Sequence, residues 1–212
     1  MNTAIEIEQA QPLFVSADVT QLPTIHRVDG RGQRFYFTVD DDVRIYPSVT
    51  SIIRSEAPMP YGLLKWYAEH GMEKTRQILN EKAHYGTLFH IVCAHLLKHG
   101  KLDLATIIDF VSAYQLEHKL AFDISNWEYE LKRDILAFAQ MCAEKNVDVL
   151  AVEVPLVSPR LGYAGTIDLV CNMTFNRKTV RAIVDIKSGK GGVWEDQERQ
   201  RAAYRDLGND GV

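Results

Sequence analysis

Cysteine is scarce in this chain. Cys93, Cys142 and Cys171 are the only ones among 212 residues, and no two of them form a Cys-x-x-Cys pair. An odd, scattered trio argues against a disulfide framework or a zinc ribbon and points to reduced thiols used for packing, as in a cytoplasmic protein. Long apolar runs are also missing, and the opening MNTAIEIEQAQPLFV lacks the basic start and apolar stretch of a secretory signal. No membrane partner is therefore expected. There is no basic excess either: 24 Lys and Arg face 28 Asp and Glu, a formal charge of −4. No global positive field marks a nucleic-acid binder, and only a local basic track remains open. Internal repeats and low-complexity linkers are absent, so the expectation is one domain over residues 31–212 behind a flexible leader, residues 1–30.

What the chain does have is an ordinary globular composition, 46% hydrophobic and 25% charged, enough for one sizeable core. Gln33 to Val39 and Val43 to Tyr46 read as strands around the acidic turn Asp40-Asp41-Asp42, a small β-hairpin. Ser48 is a helix cap after Pro47. Leu64, Trp66, Tyr67, Met72 and Ile78 recur at helical spacing, with a break at Gly71. A further helix is predicted to start at Gly86-Thr87, to carry His90 and to end at Gly100. Asp103 caps a helix to about Leu120, and Ser125 caps another to Glu144, whose inner stripe is Trp127, Leu131, Ile135, Phe138 and Met141. Three strands follow, about 147–157, 165–173 and 180–187, then a glycine-rich loop and a final helix from Trp194 to Leu207. Helices over 47–145 followed by a strand-rich core over 147–207 give an α+β class.

Chemistry concentrates between Gly162 and Lys190. Asp168 sits between Ile167 and Leu169, and Asp185 and Lys187 share a face of the following strand while Ile186 points the other way. Apolar strands rarely carry Asp and Lys without a purpose. Two carboxylates and an ammonium on neighbouring strands suit a divalent cation, Mg²⁺ or Mn²⁺, serving phosphodiester cleavage. Lys187 would offset charge on the reacting phosphate. Glu153 lies in the preceding strand, either as a further metal contact or as an acid paired with Arg160 or Arg181. Lys190 is a turn lysine or a phosphate contact. Arg199, Arg201 and Arg205 form the densest basic cluster, facing either phosphates or the acids of their own helix.

The segments YPSVTSII, GTLFH, VEVPL, GTIDLV, VDIKSGK and QRAAY, in that order from Tyr46 to Tyr204, resemble the PD-(D/E)XK nucleases, specifically the RecB-like exonuclease branch that includes phage and mitochondrial genome maintenance types. The resemblance implies a restriction-endonuclease-like core, a mixed sheet flanked by helices, with an N-terminal helical cap. It also implies that His90 of Gly-Thr-x-x-His is a metal ligand, that the Ile186 carbonyl completes the metal shell, and that Gln200 and Tyr204 of Gln-x-x-x-Tyr contact DNA. Iron–sulfur members need four cysteines around the core, so no cluster is expected here. The implied activity is a metal-dependent deoxyribonuclease, an exonuclease near single-stranded ends, with DNA and a recombination or replication protein as partners. Tyr61, Trp66 and Tyr85 are candidate base-stacking residues. A non-catalytic DNA-binding or assembly subunit that keeps the fold is the alternative, and a metal-dependent hydrolase of another substrate is a third.

Overall fold

The computed structural model describes residues 4–6, 24–30, 32–39, 43–189 and 195–210. The Asp40-Asp41-Asp42 turn, Lys190 and Trp194 lie outside them. In chain order the elements are β1 (Ala4–Glu6), β2 (Ile25–Gly30), β3 (Gln33–Val39), β4 (Val43–Pro47), α1 (Val49–Glu56), α2 (Tyr61–His70), α3 (Met72–His99), β5 (Lys101–Asp103), a 3₁₀ turn (Leu104–Thr106), α4 (Ile107–His118), α5 (Trp127–Glu144), β6 (Asp148–Ser158), β7 (Tyr163–Phe175), β8 (Lys178–Val184) and α6 (Glu195–Asp210). The class is α+β.

The central sheet is the antiparallel meander β6-β7-β8. Its second hairpin closes through Asn176 and Arg177, both at positive φ (49° and 62°) as a two-residue type I′ turn requires. Helices cover both faces. Leu88, Val92, Leu96, Leu131, Ile135 and Phe138 from α3 and α5 meet Leu169 and Cys171 on one side. Tyr204 and Leu207 of α6 and Val49 of α1 meet Leu156 and Ile167 on the other. All three cysteines are buried and free, and burial pushes the thiols of Cys142 and Cys171 up to about 12 and 11.

A second three-stranded sheet, β2-β3-β4, hangs on the start of β7. Tyr36 is buried there and its hydroxyl lies 2.8 Å from Thr166 Oγ1. The only parallel pairing among the described residues is the isolated bridge Ser48–Ala164, so the expected mixed sheet is instead antiparallel with one parallel bridge. Within the expected leader, Ile25–Gly30 forms a strand: it pairs with β3 from Ile25↔Thr38 to Gly30↔Gln33, satisfying an edge the hairpin alone would leave open.

Other boundaries differ for identifiable reasons. Gly86 and Thr87 lie within α3, which runs unbroken from Met72 to His99; Thr87 returns its hydroxyl to the Ala83 carbonyl, so the helix absorbs a pair that read as a start. Ser125 does not cap α5; its N–H donates to Asp123 and Asn126 occupies the cap position without a side-chain bond. Ser48 does cap α1, accepting from the Ser51 N–H at 3.0 Å. Strand β8 stops at Val184, so Asp185 and Lys187 stand just past its end. Among the described residues no helix is long and apolar enough to cross a membrane.

Candidate functional site

One cleft of about 780 Å³ collects residues from β2, β3, α1, α3, α4, β6, β7, α6 and the segment after β8. His90 of α3, Glu153 of β6 and Asp168 of β7 project into it, and one donor atom of each lies within 4.8 Å of the others. His90 Nδ1 is 3.5 Å from Asp168 Oδ1, although the two residues are 78 positions apart in the chain. The other carboxylate oxygen, Oδ2, accepts the Ile186 N–H at 2.7 Å. Ile186 thus touches the site through its N–H, a contact separate from the carbonyl role that the resemblance implied.

The local backbone explains why the acids meet. Across the β6-β7 ladder Val152 pairs with Leu169 and Val154 with Ile167, which sets Glu153 opposite Asp168. Val152 and Leu169 pack into the core against α3 and α5, whereas Val154 and Ile167 pack against α6. A regular strand keeps residues two apart on one face, so both strands switch faces at Glu153 and Asp168. Glu153 makes the switch with φ at 55°, left-handed and rare for a residue with a long side chain. Strain of this kind concentrates where a side chain must be aimed.

Asp185 lines the same cleft but is held differently. Its side chain is only 6% exposed, and Oδ1 accepts Lys187 Nζ at 2.8 Å and Gln200 Nε2 at 3.2 Å. Gln200 Oε1 in turn accepts from Lys187 at 3.5 Å. Tyr204, one turn further along α6, is buried beneath β7, where a Cβ on Gly165 would fall 2.6 Å from its ring. That absent Cβ lets α6 approach and hands Gln200 to the acids. Gly86 plays a similar part on α3, its missing Cβ lying 3.3 Å from Ser188 Oγ.

Crowded charge follows from this packing. Burial, then the neighbouring Asp168, raises the Glu153 carboxyl above its ordinary range. Burial raises Asp185 as well, against the lowering pull of Lys187. Burial opposes the charged form of His90, but the hydrogen bond and charge of Asp168 outweigh it and hold the imidazole above its usual value. Three carboxylates around one cleft, two of them resisting ionisation, form an oxygen-rich donor set with one imidazole. That set fits a small hard or borderline dication.

Neither arginine offered as an ion-pair partner stands beside Glu153: Arg160 is clamped on Asp210, and Arg181 lies opposite Asn172 toward the far end of β7-β8. Arg199 and Arg201 are exposed on α6 outside the cleft lining, and Arg199 is paired with Glu195. Arg205 is paired with Asp206. Lys190 lies outside the described residues. Tyr61, Trp66 and Tyr85 are not among the cleft residues; Tyr61 is 80% exposed, and Tyr85 packs on Trp127 with its hydroxyl on Asp134. Sequence reasoning missed Arg27, Arg34, Thr166, His95, Lys98, His99 and Phe110, which do line the cleft. Helical spacing carried a signal for those on α3, since Ile91, His95, Lys98 and His99 stand at i, i+4, i+7 and i+8 along one side of the helix.

The chain matches no protein-family model and no curated protein.

Proposed function

We propose that this protein is a metal-dependent deoxyribonuclease acting near single-stranded ends. The observation that carries the reading is the meeting of His90, Glu153 and Asp168 beside an Asp185–Lys187 pair in one open cleft. The six motifs that resemble RecB-like PD-(D/E)XK nucleases support the same reading, including the expectation of a restriction-endonuclease-like core. His90, Glu153 and Asp168 would hold Mg²⁺ or Mn²⁺, with Asp185 at its edge. The cation supplies positive charge against a phosphate and makes water more acidic.

The chain's own groups do the rest. Lys187 brings an ammonium that offsets the negative charge building on the phosphate, and Asp185 fixes where that ammonium stands. Gln200 braces both partners from α6. The Ile186 N–H orients Asp168 so that Oδ1 faces His90. A carboxylate with a raised affinity for protons, Glu153 or Asp185, is suited to accept the proton of the attacking water.

The test is incubation with end-labelled single- and double-stranded DNA in Mn²⁺, in Mg²⁺ and in chelator, beside Asp185→Ala and Lys187→Ala variants whose melting is checked. Metal-dependent degradation that both folded variants lose supports the enzyme. Binding without cleavage in either metal assigns the chain to the non-catalytic DNA-binding or assembly alternative.

A further inference from the structure

Beyond the acidic cluster, the wall of the cleft is made of rings. His95 and His99 stand one turn apart on α3 with ring centroids 4.4 Å apart and planes tilted by 45°. Phe110 of α4 meets His95 edge-on at 5.2 Å. All three line the cleft, and Lys98 lies between the histidines in sequence. His95 is half-buried and His99 exposed, so their ring faces are not consumed by the core. The neighbouring aromatic group is different: Tyr114 and Trp127 are buried and line no part of the cleft.

The rings are also placed at a useful distance. At a rise of about 1.5 Å per residue, His95 and His99 lie roughly 7.5 and 13.5 Å beyond His90 along the helix axis. Those are steps on the scale of successive nucleotides in an extended strand. Lys98 and Arg27 both sit close enough to Glu153 to ease its charge, so cations flank the path between the rings and the acids. Rings alternating with cations along a groove are what unpaired nucleic acid needs, since every base has a π-face and every linkage a charge. A duplex has its base faces already stacked and could not use them.

We infer that His95, His99 and Phe110 form a stacking surface for the bases of a single strand, whose phosphates run past Lys98 and Arg27 toward His90 and Asp168. The inference rests on the nuclease reading for its ligand, and it names what selects that ligand: unpaired bases.

The experiment is fluorescence anisotropy of the full chain in chelator, with a labelled 15-nucleotide oligothymidylate and an abasic strand of the same length. The variants are His95→Ala/His99→Ala, His99→Ala alone and His99→Tyr, each checked by thermal melting. Hydrolysis of bis(p-nitrophenyl) phosphate, which has no base, is read in parallel with Mn²⁺. Wild type should prefer the thymidylate strand by at least roughly 5-fold, the lower end of the 5- to 150-fold expected per stacked base. The double variant should lose that preference while its abasic affinity and base-free hydrolysis hold, and His99→Tyr should keep it. The exposed His99→Ala gives the same sign of change if the double variant does not fold. Equal wild-type affinity for the two strands overturns the inference, as does a folded alanine variant that retains the preference or loses both affinities together. A wild type that prefers bases yet hydrolyses neither DNA nor the ester leaves the stacking surface standing and removes the nuclease reading. Cleavage without base preference does the reverse.

Discussion

Replacing Glu153 by alanine and, separately, by glycine reads the backbone of the site directly. Both changes remove the carboxylate, so both lose its crowding with Asp168 and its donor atom in the candidate metal site equally. They differ only at Cβ. Holding φ at 55° costs a residue with a Cβ about 1–2 kcal/mol relative to right-handed backbone. Glycine escapes that cost and gives back about 0.5–1 kcal/mol in chain entropy. The balance favours Glu153→Gly over Glu153→Ala by about 0.5–1 kcal/mol. For a chain of 212 residues, that is a melting difference of about 1–4 °C, at about 2–4 °C per kcal/mol. In a regular strand the sign reverses, because alanine is there the more stable by about 0.5–1 kcal/mol. Urea denaturation of the two variants in chelator measures the difference. Alanine more stable than glycine would refute the switch of strand faces at Glu153, and with it the explanation of how that carboxylate reaches His90.

Three further outcomes follow from the same geometry. Gly165→Ala places a Cβ 2.6 Å from the Tyr204 ring; it should cost about 1–3 kcal/mol in chemical denaturation and, by moving Gln200 off Asp185 and Lys187, lower metal-dependent hydrolysis more than metal binding. Ser158→Ala removes a buried hydroxyl that donates to Asp210 at 2.6 Å and accepts the Leu161 N–H at 3.0 Å; a loss of about 1–3 kcal/mol is expected with activity per folded molecule unchanged. In the metal-free protein, the folded state binds Glu153 and Asp185 protons above their ordinary 4.5 and 3.8, and the His90 proton above 6.5. The unfolded chain holds fewer protons in each of those windows, so these groups make stability fall as pH rises through them. Melting curves from pH 4 to 8 should accordingly show a flatter slope in Glu153→Gln than in wild type, and a parallel slope contradicts the expectation.

Legibility of the fold tracked the range of the interaction that decided each feature. Strands β3, β6 and β7 and the break at Gly71 were readable, because alternation and turn residues are local. The cap at Ser48 was readable for the same reason. The start of β2 was not, since Ile25–Gly30 is mostly exposed and becomes a strand only by pairing with β3. Gly86 read as a helix start because glycine usually marks an end; its use within α3 is to admit Ser188, a contact between positions 102 apart. At the site, Asp168, Asp185 and Lys187 were visible as acids and a lysine in apolar strands, and the motif resemblance supplied His90. The left-handed Glu153 was invisible, because nothing in Val-Glu-Val-Pro announces a positive φ. His95 and His99 carry no motif of their own in the sequence, and only the tertiary fold turns their side of α3 into a cleft wall.

The central claim is that side chains remote in sequence converge to hold one divalent cation. Calorimetric titration of the purified chain with Mn²⁺, alongside His90→Ala and Asp168→Asn, tests it most directly. Saturable binding of about one ion per chain, weakened at least about 10-fold by either substitution in a protein that still melts cooperatively, is the predicted result. Wild-type protein that takes up no Mn²⁺, or folded variants that bind it as tightly as wild type, would contradict the claim.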